Sequence, residues 1–180
     1  MTEPTFFDRM RRDHQTVLER VTALEQGSLR TGRGAGEPAT GADWDRTILD
    51  LTQMLERQFS THMAGEDRVL FPELEPVLPR GEAALAPLRA EHEELRAMLD
   101  RLQKTLRRRR DAARDEEIVI QIRDLIDLLR LHIRKEEIVL GVAERVLTSA
   151  EIEALETRVR ALTPSPTPSG RPGGRPGGHS

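Results

Sequence analysis

Between Ile118 and Val139, the residues Ile118, Ile122, Leu125, Leu129, His132, Glu136 and Val139 recur at alternating steps of three and four. That spacing gathers side chains into one stripe on a helix, the stripe that faces a core. Two members of the stripe, His132 and Glu136, are polar and point the same way about one turn apart. Burying such groups without partners costs on the order of several kcal/mol, so a fold that uses this helix must supply something inside for them to bind.

The same pattern returns along the chain. Thr5 with Asp8 marks a helix start, followed by Phe7, Met10, His14, Val17, Val21 and Leu24. A glycine-rich loop is expected from Gly27 to Gly41. A second helix opens near Asp43 with Trp44, Ile48, Leu51 and Leu55, then His62, Glu66 and Val69 or Leu70. Gln58 and Phe59 straddle its stripe where one apolar residue is expected, and Pro72, Pro76, Pro79 and Gly81 are expected to end it. The third helix keeps a leucine seam, Leu85, Leu88, Leu95, Leu99, Leu102 and Leu106, interrupted only by His92, and closes at Arg107–Arg110. The fourth runs from about Asp115 to Glu144, and Ser149 to Leu162 forms a short fifth. The reading is all-α: an antiparallel up-down four-helix bundle with a short fifth helix over residues 1–162, and a disordered Pro/Gly/Arg tail over 163–180 with two Arg-Pro-Gly-Gly copies.

Composition narrows the chemistry. The chain has no cysteine, which excludes disulfides, thiolate metal sites and iron–sulfur clusters. A net charge of -3 gives no electrostatic reason to expect a nucleic-acid partner, and the arginine run, with no aromatics interleaved, reads as solvated charge. No run approaches the length of a membrane span, and the charged amino terminus does not resemble a signal peptide, so the default is a soluble cytoplasmic protein.

Apart from His179 in the tail, every histidine lies on a core stripe, one per long helix, and two are followed four residues on by an in-phase glutamate. A lone histidine on an apolar face is more often a hydrogen-bonded core residue than a ligand. Four imidazoles and two carboxylates need a common partner of high charge. His92 and His132 each lie about 20 residues from the turn at Arg110 and Asp111, so antiparallel helices rising about 1.5 Å per residue bring them to one level. His62 and His92 stand at similar distances from the proline-rich turn. All six side chains can therefore meet in one layer.

Such donors suit iron, manganese or zinc, and two carboxylates able to bridge make a dinuclear site natural. With Glu66 and Glu136 shared and His14, His62, His92 and His132 as terminal ligands, each ion has four protein donors and open positions for a small ligand. Other templates fit worse. The residues three before the core histidines are Arg11, Phe59, Arg89 and Leu129, so the Glu-x-x-His pattern of ferritin-like di-iron proteins is missing. His92-Glu93-Glu94-Leu95-Arg96 lacks the second histidine of the zincin motif.

His14 in Arg-Asp-His, His62-x-x-x-Glu66 in Thr-His-Met-Ala-Gly-Glu, His92 in Ala-Glu-His-Glu-Glu-Leu and His132-x-x-x-Glu136 in Leu-His-Ile-Arg-Lys-Glu-Glu resemble the hemerythrin-like, or HHE cation-binding, domain over roughly residues 5–145. The resemblance implies a four-helix bundle around two non-haem iron ions that handle dioxygen, peroxide or nitric oxide, or that serve iron sensing or storage. Dioxygen-carrying hemerythrins place a second histidine one turn on in the third helix and a more distant Asp on the fourth. Here those features are replaced by Arg96 and Glu136. An emptier coordination sphere favours redox turnover or sensing over carriage. The alternative from another class is a metal-responsive interaction module without turnover, in which occupancy orders the helices and the tail contacts a partner.

Overall fold

The computed structural model describes residues 5–28 and 42–162, all but a few of them helical and none in a strand. Helix α1 is Phe6–Ser28. Its start is the reciprocal pairing that Thr5 and Asp8 announce: Asp8 N–H donates to Thr5 Oγ1 (3.1 Å), and Thr5 N–H donates back to Asp8 Oδ2 (2.9 Å). The helix continues through Gly27 and Ser28, two residues into the expected loop. The rest of that loop and the expected tail lie outside the described residues.

Helix α2 is one continuous rod over 42–74. It comprises Ala42–Gln58, two π-turns at Phe59–Met63 and Glu66–Leu70, and a final turn, Phe71–Leu74, that carries Pro72. Pro72 therefore does not end the helix; it sits near the start of that last turn. The π-turns resolve the misfit at Gln58 and Phe59. A π-turn holds an extra residue, which shifts the phase so that Phe59 and Met63 join the core while His62 and Glu66 also turn inward. The reversal that follows requires Arg80 in the left-handed region (φ 54°) and Gly81, where a Cβ would fall 1.9 Å from the Glu75 carbonyl oxygen.

Helix α3 is Gly81–Leu106 and α4 is Ala112–Val146. The start of α4 lies three residues ahead of the expected one, because Asp111 caps it by accepting from Arg114 N–H at 2.8 Å. Helix α5, Ser149–Leu162, opens with a second reciprocal cap between Thr148 and Glu151.

Bonds between helices fix their directions. Arg11 meets Glu144, His14 meets Glu137 and Arg130 meets Glu25, so α1 and α4 run antiparallel. Glu91 meets Lys135 and Thr105 meets Gln121 across α3 and α4; Glu56 meets Gln103 and Glu75 meets Arg89 across α2 and α3. Both pairs are antiparallel as well. Helix α1 also packs on α2, while α5 lies against α1 and the second π-turn.

Apolar burial is split in two. One cluster holds Val17, Val21, Ile48, Leu55, Leu99, Leu102, Ile118 and Ile122 among others. The other holds Phe7, Met10, Leu70, Phe71, Leu85, Leu88 and Leu140. On every long helix the histidine falls where one cluster gives way to the other. The polar residues thus form a layer between two hydrophobic cores.

Candidate metal centre

All six residues singled out in the sequence occupy that layer. His14, Glu66, His92, His132 and Glu136 are buried, and the His62 side chain is only 12% exposed. One ligand atom from each of His14, His62, Glu66 and Glu136 lies within 4.8 Å of the others. His92 and His132 adjoin this group, with Nε2 3.3 Å from Glu66 Oε2 and 3.4 Å from Glu136 Oε2 respectively. The imidazoles face each other in pairs: His14 and His62 Nε2 atoms are 3.0 Å apart, those of His92 and His132 3.2 Å. Glu66 reaches both pairs, with Oε1 2.7 Å from His62 and Oε2 near His92. Glu136 Oε2 likewise approaches His14 at 3.2 Å as well as His132.

Behind each imidazole stands a carboxylate that the sequence reading did not identify. Nδ1 of His14 faces Glu137 (2.8 Å), that of His62 faces Asp13 (3.5 Å), that of His92 faces Asp67 (2.7 Å) and that of His132 faces Glu91 (3.1 Å). Donation from Nδ1 fixes the tautomer and turns the Nε2 lone pair inward. The four supports form a closed ring: α4 holds the α1 histidine, α1 that of α2, α2 that of α3, and α3 that of α4. Each supporting acid is also the sequence neighbour of a core donor: Asp13 of His14, Asp67 of Glu66, Glu91 of His92 and Glu137 of Glu136. An acid next to four of the six core donors was the available signal; His62 and His132 have none beside them.

Three of the four supports meet a surface cation in turn. Arg11 Nε donates to Glu137 at 3.2 Å, Arg96 to Asp67 at 2.7 Å, and Lys135 to Glu91. Arg96 thus turns outward to Asp67.

The residues fit a cation. All four carboxylate oxygens of Glu66 and Glu136 are buried without a hydrogen bond, an arrangement costing several kcal/mol if left so. Imidazole lone pairs that face each other at hydrogen-bond distance also require a proton or a metal ion between them. Without a metal, protons serve. Burial opposes charge on the imidazoles, but Glu136 holds His14 above the ordinary histidine value and Glu66 holds His62 well above it. For His92 burial is likewise outweighed, by Asp67 and Glu66, and the pKa rises to about 9. Burial works against the Glu66 carboxylate too, yet the His62 charge keeps it well below the usual range.

These features define a helical protein with a buried imidazole–carboxylate group of the kind that binds metal cations. The family model of the hemerythrin HHE cation binding domain matches residues 5–143. The chain belongs to the hemerythrin family, a family of metal-cation-binding domains. A search of curated proteins finds no match to it. Among the described residues no helix is long and apolar enough to cross a membrane.

Proposed function

We propose that residues 1–162 form one domain in which α1 to α4 are an antiparallel four-helix bundle holding two iron ions. In this reading His14 and His62 serve one ion, His92 and His132 the other, and Glu66 and Glu136 are shared between them. The donors would equally take manganese or zinc. The observation that carries the reading is the set of four buried carboxylate oxygens without a hydrogen bond, in a layer where every imidazole turns Nε2 toward them or toward another imidazole.

A redox-active cation pair bound there would supply electron exchange with a small oxidant: dioxygen, peroxide or nitric oxide. The chain's own part is to bind, orient and exclude. A cavity of about 30 Å³ is lined by Asp13, His14, Gln58, His62, His132 and Glu136 together with apolar side chains that include Phe59, Met63, Leu129 and Ile133. That is room for about one water or a diatomic molecule. Its apolar wall limits competing water. Among the described residues no tyrosine stands near the layer, since the chain has none, so no phenolate or tyrosyl radical is available.

A second reading, a metal-responsive module without turnover, is favoured by the position of the layer between two apolar cores, where occupancy would couple both halves of the helices. Anaerobic loading with Fe(II), followed by dioxygen, peroxide and nitric oxide in turn, separates the two. Oxidant handling predicts absorbance changes with at least one oxidant; the module predicts a large rise in melting temperature and none. Glu136→Gln is expected to lower iron content, and two irons per chain with an unchanged spectrum in that variant would overturn the assignment.

A further inference from the structure

The ring of carboxylates around the centre is not uniform. Glu137, Asp67 and Glu91 pack close to their imidazoles, whereas Asp13 stands 3.5 Å from His62 Nδ1 with its side chain 52% exposed. On the same side a cleft of about 230 Å³ opens between α1, the π-turns of α2 and α5. Thr61 and Glu156 stand on its walls, and Asp13, His62 and Glu66 line it as well. At Gly65 a Cβ would come within 3.3 Å of Val159 Cγ1, so α5 rides close over the metal-bearing helix at this point.

A cleft of this size holds several waters. Arg9 and Arg160, which also line it, share the one carboxylate of Glu156 on α5, which offsets one of their two charges. The other acids on the lining are Asp13 and the 1% exposed Glu66, whose oxygens lie 2.7 Å from His62 and 3.3 Å from His92. The cavity of about 30 Å³, which Asp13 and His62 also line, is too small for a hydrated ion.

Building on the metal-centre reading above, we infer that the α1–α2–α5 cleft is the port through which a hydrated divalent cation reaches the centre, drawn by Asp13 and received by Glu66. The His14–His62 position loads first, since it adjoins the port. Loading is then steered by charge at the cleft.

Thr61 is exposed on the cleft wall, its hydroxyl donating only to the Arg57 carbonyl of its own helix at 2.8 Å, so Thr61→Lys and Thr61→Glu test the port in the full chain. Co(II) uptake is followed by stopped-flow absorbance, with Leu131→Lys and Leu131→Glu as controls; Leu131 is 45% exposed and adjoins His132 in sequence. At low ionic strength T61K is expected to slow uptake by about threefold or more and T61E to speed it similarly, with the gap closing near ~1 M salt. Final occupancy is expected to be equal, and the Leu131 pair to match the wild type. Equal rates in T61K and T61E at full occupancy, or a larger effect at Leu131, would overturn the port while leaving the centre standing. A wild-type chain that takes up no cobalt would overturn both.

Discussion

Asp67 Oδ1 lies 2.7 Å from Nδ1 of His92, two residues on neighbouring helices, while the other oxygen of the same carboxylate accepts from Arg96 at 2.7 Å. Burial raises the Asp67 pKa, but His92 and Arg96 outweigh it, so this carboxyl is held below its ordinary value and stays ionised. It is a charged brace on an imidazole whose far nitrogen faces the centre.

Asp67→Asn keeps the shape of the brace and removes its charge. Metal affinity is expected to fall by about 10–100-fold, the usual cost of losing such a support. Competition with a chromogenic chelator measures it. An affinity within about twofold of wild type would mean that the ring of carboxylates does not tune the donors.

The metal-free protein should become less stable as pH rises. The folded state binds the His14, His62 and His92 protons more tightly than the unfolded chain does, so unfolding releases them. Their contribution is complete below the unfolded value of 6.5 and is lost as pH climbs through the folded values, about 9 for His92. Melting temperatures of the metal-free chain are therefore expected to fall between about pH 6.5 and pH 9. A flat or rising profile there would contradict the proton-filled layer.

Two neighbours at the α2–α3 reversal should respond in opposite directions. Gly81→Ala drives a Cβ into the Glu75 carbonyl and is expected to cost about 1–3 kcal/mol or more. Arg80→Gly relieves a positive φ and is expected to add about 0.5–1 kcal/mol. Urea denaturation with unchanged m-values reads both.

Much of this was legible in the residues themselves. Stripes such as Leu85–Leu102 name the buried faces because period and burial follow from one helical geometry, and the level of His92 and His132 follows from counting back to the turn at Asp111. The phase of α2 was not legible: a π-turn breaks the period being counted, so Gln58 and Phe59 straddle the stripe where one apolar residue is expected. Pro72 misled for a related reason: it follows directly on the second π-turn, where Phe71 N–H already donates five residues back to Glu66 and the regular ladder is interrupted. The outer carboxylates escaped because each supports a histidine on a different helix, and spacing along one helix cannot show a partner across the layer.

Anomalous diffraction at the iron edge from crystals of the Fe(II)-loaded chain locates the ions themselves. Two peaks are expected inside the layer, one at His14 and His62 and one at His92 and His132, both against Glu66 and Glu136. No peak among these six residues, or iron only at surface carboxylates, would contradict it.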